Sequence, residues 1–220
     1  RQILAGLTHP NIARLFDGGA TPNGQPYLVL EYIQGLAIDA FCRTKNLDFL
    51  QILDLLLPIC DAVAIAHQRL IIHCDIKPSN ILVNQAGRPS LLDFGIASLA
   101  GEADLLGTTP LSPKVDSTAE APSNADAEQT AHFTQTTMRG NVAVAYTPRY
   151  ASPEQKASKP ISTATDIYSL GRVIAELCAL DPAFKESRTR GNRLLQRQEV
   201  QAIIDKACAA VPAARYGSAQ

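Results

Sequence analysis

The chain has 220 residues, of which 46% are hydrophobic and 5% aromatic, with no tryptophan and a formal net charge of −1. That length suits one large domain or two small ones, with aliphatic and alanine packing in place of aromatic packing. The balanced charge offers no basic field for nucleic acid, and no apolar stretch reaches the roughly 18 unbroken residues of a membrane span.

In chain order, residues 1–8 read as the tail of a helix ended by His9 and Pro10. The segment begins at Arg1 inside an apolar-periodic run (Ile3, Leu4, Leu7) with no capping signal, so the amino terminus reads as cut. Ile12–Asp17 and Tyr27–Ile33 read as strands, joined through Gly18, Gly19 and the Pro22, Asn23, Gly24 turn signal. Gly35 opens a link. Residues 36–45 and 48–69 read as helices. The second holds the most apolar run, Ile52–Ala66, which Asp54, Pro58 and Asp61 interrupt, so it reads as a buried helix. Ile71–His73, Ile81–Val83 and Ser90–Leu92 read as short strands. Residues 101–138 hold little beyond Ala, Thr, Ser, Pro, Asp and Glu and read as a disordered, low-complexity insert. Helical periodicity returns over Thr163–Leu180, with Thr163 or Thr165 as cap, and over Leu194–Cys208; Pro212–Gln220 reads as a loop. The expected fold is therefore α+β: a small sheet unit over residues 1–34 and a mostly helical unit over 35–220. The five cysteines are scattered and lack metal-ligand spacing, which suits free thiols in a reducing cytoplasm.

The chemistry is concentrated in His73, Asp75, Lys77 and Asn80, followed eighteen residues after Asp75 by Asp93, Phe94 and Gly95. A carboxylate, an ammonium, an amide and a second carboxylate at this spacing suit phosphoryl transfer. One carboxylate can accept a hydroxyl proton, the lysine can neutralise charge on a phosphate, and the amide and second carboxylate are hard oxygen ligands for Mg²⁺.

With the phrases His9 to Ile12, Pro26 to Tyr32, His73 to Asn80, Leu92 to Gly95, Tyr146 to Glu154 and Asp166 to Gly171, the chain resembles the eukaryotic-type Ser/Thr protein kinases, most closely the bacterial members. The resemblance implies a kinase-like fold, ATP and Mg²⁺ as cofactors, and a protein Ser/Thr hydroxyl as acceptor. It implies Asp75 as catalytic base, Lys77 on the γ-phosphate, and Asn80 and Asp93 on Mg²⁺. Leu30 would be the gatekeeper, the backbones of Glu31 and Ile33 would meet adenine, and Leu82 would pack beneath it. Leu4, Leu15, His73 and Phe94 would stack as a spine, with Gly95 completing its motif. Thr147 would support the catalytic loop, Glu154 would pair with Arg215, and Asp166 would hold the loop backbone. A cytoplasmic catalytic domain follows, with any membrane anchor outside these residues.

Three features depart from that pattern. No glycine-rich loop or strand lysine precedes the hinge, and the partner glutamate would fall just before Arg1, so these residues alone are expected to be nearly inactive. Position 74 is cysteine where loop-regulated kinases carry arginine, so activity is expected not to depend on a loop phosphate through this residue; a redox-sensing thiol is the alternative. The segment from Asp93 to Glu154 is long, and Thr134, Thr136 and Thr137 near Arg139 are either autophosphorylation sites or part of a tolerated insertion. His67 and His132 suggest no special role, His67 reading as a core histidine. The competing functions are a pseudokinase or interaction scaffold and a small-molecule phosphotransferase. The intact Asp75, Lys77, Asn80 and Asp93 argue against the first, and the Thr147 to Glu154 segment, a platform for a polypeptide, against the second.

Overall fold

The structure, a computed structural model, describes residues 7–92, 135–139, 142–185 and 192–220. Strands β1 (Leu15–Ala20) and β2 (Pro26–Leu30) form an antiparallel hairpin closed by a tight turn, with Gly24 at φ 78°. The first strand starts later than the sequence suggests because Asn11 to Ala13 is committed elsewhere. The Leu91 N–H donates to the Asn11 carbonyl (2.8 Å) and the Ala13 N–H to the Leu91 carbonyl (2.9 Å), so Ile12 lies beside Leu91. The hairpin is thereby tied at its base to the helical body. Between Leu15 and Asp17 the register slips by a bulge that leaves Phe16 exposed. β2 ends at Leu30, short of Ile33, because the Glu31 N–H turns to the Arg14 carbonyl at 2.8 Å.

A second sheet has the antiparallel order β3 (Gly35–Ala37), β4 (Ile81–Asn84), β5 (Pro89–Leu91). The helix expected from residue 36 therefore begins at Ile38, as α1 (Ile38–Lys45). Only glycine fits the start of β3, since a Cβ on Gly35 would run into the Val83 carbonyl. Ile71–His73 is not a strand. The Ile71 N–H bonds the Ala66 carbonyl at the helix end (3.0 Å), and the His73 N–H is taken by a side chain, Asp166 Oδ2 (2.8 Å), so no ladder partner is left to find.

Helix α2 (Phe49–Gln68) starts with a reciprocal cap: the Gln51 N–H donates to Asp48 Oδ1 and the Asp48 N–H to Gln51 Oε1, both at 3.0 Å. By length and composition α2 could cross a membrane. Its Ile52, Leu56, Ile59 and Val63 are instead buried in one core cluster with Leu170, Val173 and Leu177 of α4 (Thr163–Cys178). The cap of α4 is Ser162 and not Thr163 or Thr165, although Thr165 takes the reciprocal place in that cap. Near Gly171, α4 meets the end of α6 (Asn192–Ala207) so closely that a Cβ would lie 2.8 Å from Ala207 Cβ. Short α3 (Pro153–Lys156) and α5 (Pro182–Lys185) complete the helices among the described residues, and the terminal loop contains a 3₁₀ turn at Pro212–Ala214.

Strands β6 (Gln135–Arg139) and β7 (Val142–Tyr146) pair antiparallel, with Thr137 opposite Val144. The stretch expected to lack structure, 101–138, therefore ends in a strand. Its remainder, together with Leu4, Asp93, Phe94, Gly95, His132 and Thr134, lies outside the described residues.

Candidate active site

The loop between α2 and β4 is shaped by a carboxylate from another helix. Asp166, fully buried on α4, accepts three N–H groups: His73 N–H (2.8 Å) and His67 Nε2 (2.8 Å) on Oδ2, and Cys74 N–H (2.9 Å) on Oδ1. Several N–H donors are what keep a buried carboxylate tolerable. This pins Cys74 at φ 69°, a left-handed conformation that costs an L-residue about 1–2 kcal/mol. The Cys74 carbonyl accepts Gln155 Nε2 at 2.7 Å.

His73 is buried and its ring joins two turns of backbone. Nδ1 accepts the Asp75 N–H (3.3 Å), which places the ring proton on Nε2, and Nε2 donates to the Leu92 carbonyl (2.8 Å). Leu92 immediately precedes Asp93, so the ring ties the Asp75 loop to the approach of the second carboxylate.

Three of the four predicted chemical groups, those of Asp75, Lys77 and Asn80, come together; Asp93 lies outside the described residues. Asp75 Oδ2 lies 2.6 Å from Lys77 Nζ, and Oδ1 accepts the Thr147 N–H at 3.0 Å. Lys77 Nζ also donates to Thr147 Oγ1 at 2.9 Å, closing a triangle between two distant segments. Among the described residues, two of the three ammonium protons are engaged, and the third can meet an anionic ligand. Asn80, on the 3₁₀ turn Pro78–Asn80, donates through Nδ2 to the Asp75 carbonyl at 2.9 Å. That bond fixes the amide so that Oδ1 is the atom able to meet a hard cation.

Thr147 opens a segment anchored by α3. Glu154 receives a two-pronged pairing from Arg215, at 2.7 and 2.8 Å, and the Thr165 hydroxyl donates to Oε1 at 3.0 Å. Arg215 is itself buried, donates to the carbonyls of Ala209 and Ala164 (both 2.8 Å), and lies 5.0 Å over the Tyr168 ring. Burial pushes the Glu154 carboxyl up, but the Arg215, backbone and Ser152 hydrogen bonds outweigh it and hold the carboxyl down at about 2. Leu30 and Leu82 are half-buried. Leu82 points away from the core face of β4 that Ile81 and Val83 occupy, and it stands opposite Ala37. The Glu31 N–H is taken by Arg14, leaving its carbonyl for a ligand; Ile33 lies beyond β2 and is half-buried.

Two residues carry more than the sequence suggested. His67 is the core histidine that the sequence suggests, and its Nε2 also reaches Asp166; its Nδ1 is buried without a hydrogen-bond partner among the described residues. Gln155 joins the Glu154 segment to Cys74. Only its place three residues after Ser152, a capping-box spacing, could have drawn attention to it. Three of the five thiols are held protonated: burial pushes Cys42 and Cys60 up to about 11 and Cys178 up to about 12, with help from nearby acidic groups.

Against known proteins, the family described as "Protein kinase domain" matches residues 1–115. The serine/threonine-protein kinase PknB of Mycolicibacterium smegmatis is 31% identical over 187 residues, which are 83% of this chain and 25% of that protein. The probable serine/threonine-protein kinase CE0033 of Corynebacterium efficiens is 31% identical over 188 residues, 84% of this chain and 24% of that protein. The chain thus spans about a quarter of the length of these curated relatives. The crystal structure of the PknI kinase domain from Mycobacterium tuberculosis, a double mutant, is similar with a TM-score of 0.62 at 22% identity; the match covers 99% of this chain and 71% of that one and shows the fold alone.

Proposed function

The chain belongs to the protein kinase family, in the eukaryotic-type serine/threonine branch found in mycobacteria and corynebacteria, and on that premise we propose that it transfers the γ-phosphoryl group of ATP to a Ser or Thr hydroxyl of a protein. The observation that carries this reading is the triangle of Asp75, Lys77 and Thr147, where one threonine of the docking segment gives its backbone N–H to the base and its hydroxyl oxygen to the cation. Asp75 orients the acceptor hydroxyl and takes its proton. Lys77 holds a phosphate oxygen with its remaining N–H. Thr147 fixes both, so that the reacting atoms start near their attack geometry. Glu31 and Ile33 offer backbone groups to adenine, with Leu30 and Leu82 as apolar walls.

Asn80 Oδ1 and the Asp93 carboxylate suit Mg²⁺, and the orientation of the Asn80 amide by the Asp75 carbonyl fits that role. Magnesium, when bound, neutralises the charge of the ATP phosphates. The 220 residues contain no glycine-rich loop and no strand lysine ahead of the hinge, so taken alone they are expected to turn over little. The kinase domain works in the cytoplasm on this reading.

The test is transfer from labelled ATP with Mg²⁺ to a protein and peptide panel, using the full chain as the cell makes it. Labelled Ser or Thr that disappears with Asp75→Asn is expected, at a loss on the order of 10²–10⁴-fold. Transfer indifferent to Asp75→Asn, transfer only to small molecules, or no transfer with partner binding intact would overturn the reading; the last outcome would favour a scaffold.

A further inference from the structure

Gln155 has no part in the roles above, yet it is completely buried and its amide reaches the loop that carries Asp75. Cys74, between His73 and Asp75, is held in its left-handed conformation from two sides. Asp166 Oδ1 of α4 takes its N–H at 2.9 Å, and Gln155 Nε2 of α3 takes its carbonyl at 2.7 Å. That carbonyl and the Asp75 N–H belong to one planar peptide group. The same N–H meets His73 Nδ1 at 3.3 Å, so the orientation of this plane sets the direction in which the Asp75 side chain leaves the backbone. The Gln155 amide has a defined sense: Oε1 accepts the Ser152 N–H at 2.9 Å, while the Gln155 N–H donates to Ser152 Oγ at 3.3 Å. Its oxygen is therefore used by the cap of α3, and its nitrogen is left for Cys74.

We propose that Gln155 is a positioning residue for Asp75: by gripping the Cys74 carbonyl it makes the aim of the base depend on the seating of the Ser152 to Gln155 segment. The inference rests on the kinase reading of the site. Gln155 touches neither substrate nor ATP and acts only through Cys74. A docking segment that is displaced releases the carbonyl, and the left-handed peptide is then free to relax and turn Asp75 away.

The test compares Gln155→Leu and Gln155→Glu in the full chain, by steady-state kinetics and by hydrogen exchange of the peptide covering residues 71–77. Glutamate keeps an oxygen for the Ser152 N–H but loses the N–H for Cys74; leucine loses both at similar size. The expected result is a fall in kcat of roughly 10- to 100-fold in both variants, with KM for ATP unchanged. Exchange over 71–77 should quicken while α2 and α4 stay protected. A glutamate variant with unaltered kcat and exchange would overturn the proposal. So would a kcat loss accompanied by faster exchange throughout α2 and α4, because that is a packing role. If the unsubstituted protein transfers no phosphate, the kinase reading falls. Exchange alone then decides the grip: quickening confined to 71–77 upholds it, and no change refutes it.

Discussion

Asp75 and Lys77 are two residues apart, and each depends on Thr147, seventy or more residues further on. Thr147→Ala removes the oxygen that receives Lys77 while leaving the backbone N–H on Asp75. We expect kcat to fall more than about 10-fold, Thr147→Ser to restore most of it, and the folding midpoint to move little; steady-state kinetics beside thermal melts check this. Asp166 is more exposed to a conservative change than its burial suggests. Asparagine replaces one of its two acceptor oxygens with a donor, and both oxygens are used by N–H groups. Asp166→Asn should cost about 2–4 kcal/mol in urea denaturation, since hydrogen bonds to a buried charge contribute roughly 1.5–3 kcal/mol each. The sequence showed Asp75, Lys77, Thr147 and Asp166 because a specific motif names them. It hid His67 and Gln155 because each acts through one hydrogen bond to a partner 99 or 81 residues away, and nothing local marks such a bond.

The long helices and the short strands β4 and β5 followed their local signals, and two other short segments did not. α2 could be read from its apolar run, and the structure adds the Asp48–Gln51 cap. Gly35–Ala37 carries no strand signal of its own; it is extended because β4 offers a ladder edge and a glycine permits the approach. Ile71–His73 has strand composition, but its donors are claimed by a helix end and by Asp166. In both segments, tertiary partners override propensity. The α2–α4 contact carries much of the core. Ile59→Ala, at a site with no exposure, should lower stability by about 2–5 kcal/mol. The opposite error, overfilling, is available at Gly171. Gly171→Ala sets a methyl against Ala207 and Cys208, at an expected cost of about 1–3 kcal/mol, with denaturant unfolding as the measurement.

Across the whole molecule, the Glu154–Arg215 pair joins the docking segment to the last residues of the chain. A carboxyl lowered from 4.5 to about 2 adds stability that is complete above about pH 4.5 and is lost as pH falls toward 2. Urea midpoints between pH 6 and pH 2 should therefore fall less steeply in Glu154→Gln than in the unsubstituted protein. Arg215→Ala strands a buried carboxylate and should cost about 3–5 kcal/mol at neutral pH. Lysine should not rescue it, since the three N–H groups of an ammonium cannot replace a planar fork that makes two bonds to Glu154 and one each to the Ala164, Ala209 and Ala210 carbonyls. The pair also imposes an order on synthesis. Sixty-one residues separate Glu154 from its partner, so at ~5–20 residues per second a ribosome needs on the order of 3–12 s to deliver the arginine after the glutamate has been made. Through that interval, and until Arg215 clears the exit tunnel, the nascent chain cannot lock its docking platform. A message broken after α4 and before Arg215 would yield a protein that keeps Asp75, Lys77, Asn80, Thr147 and Asp166 and has no clasp to hold a substrate against them.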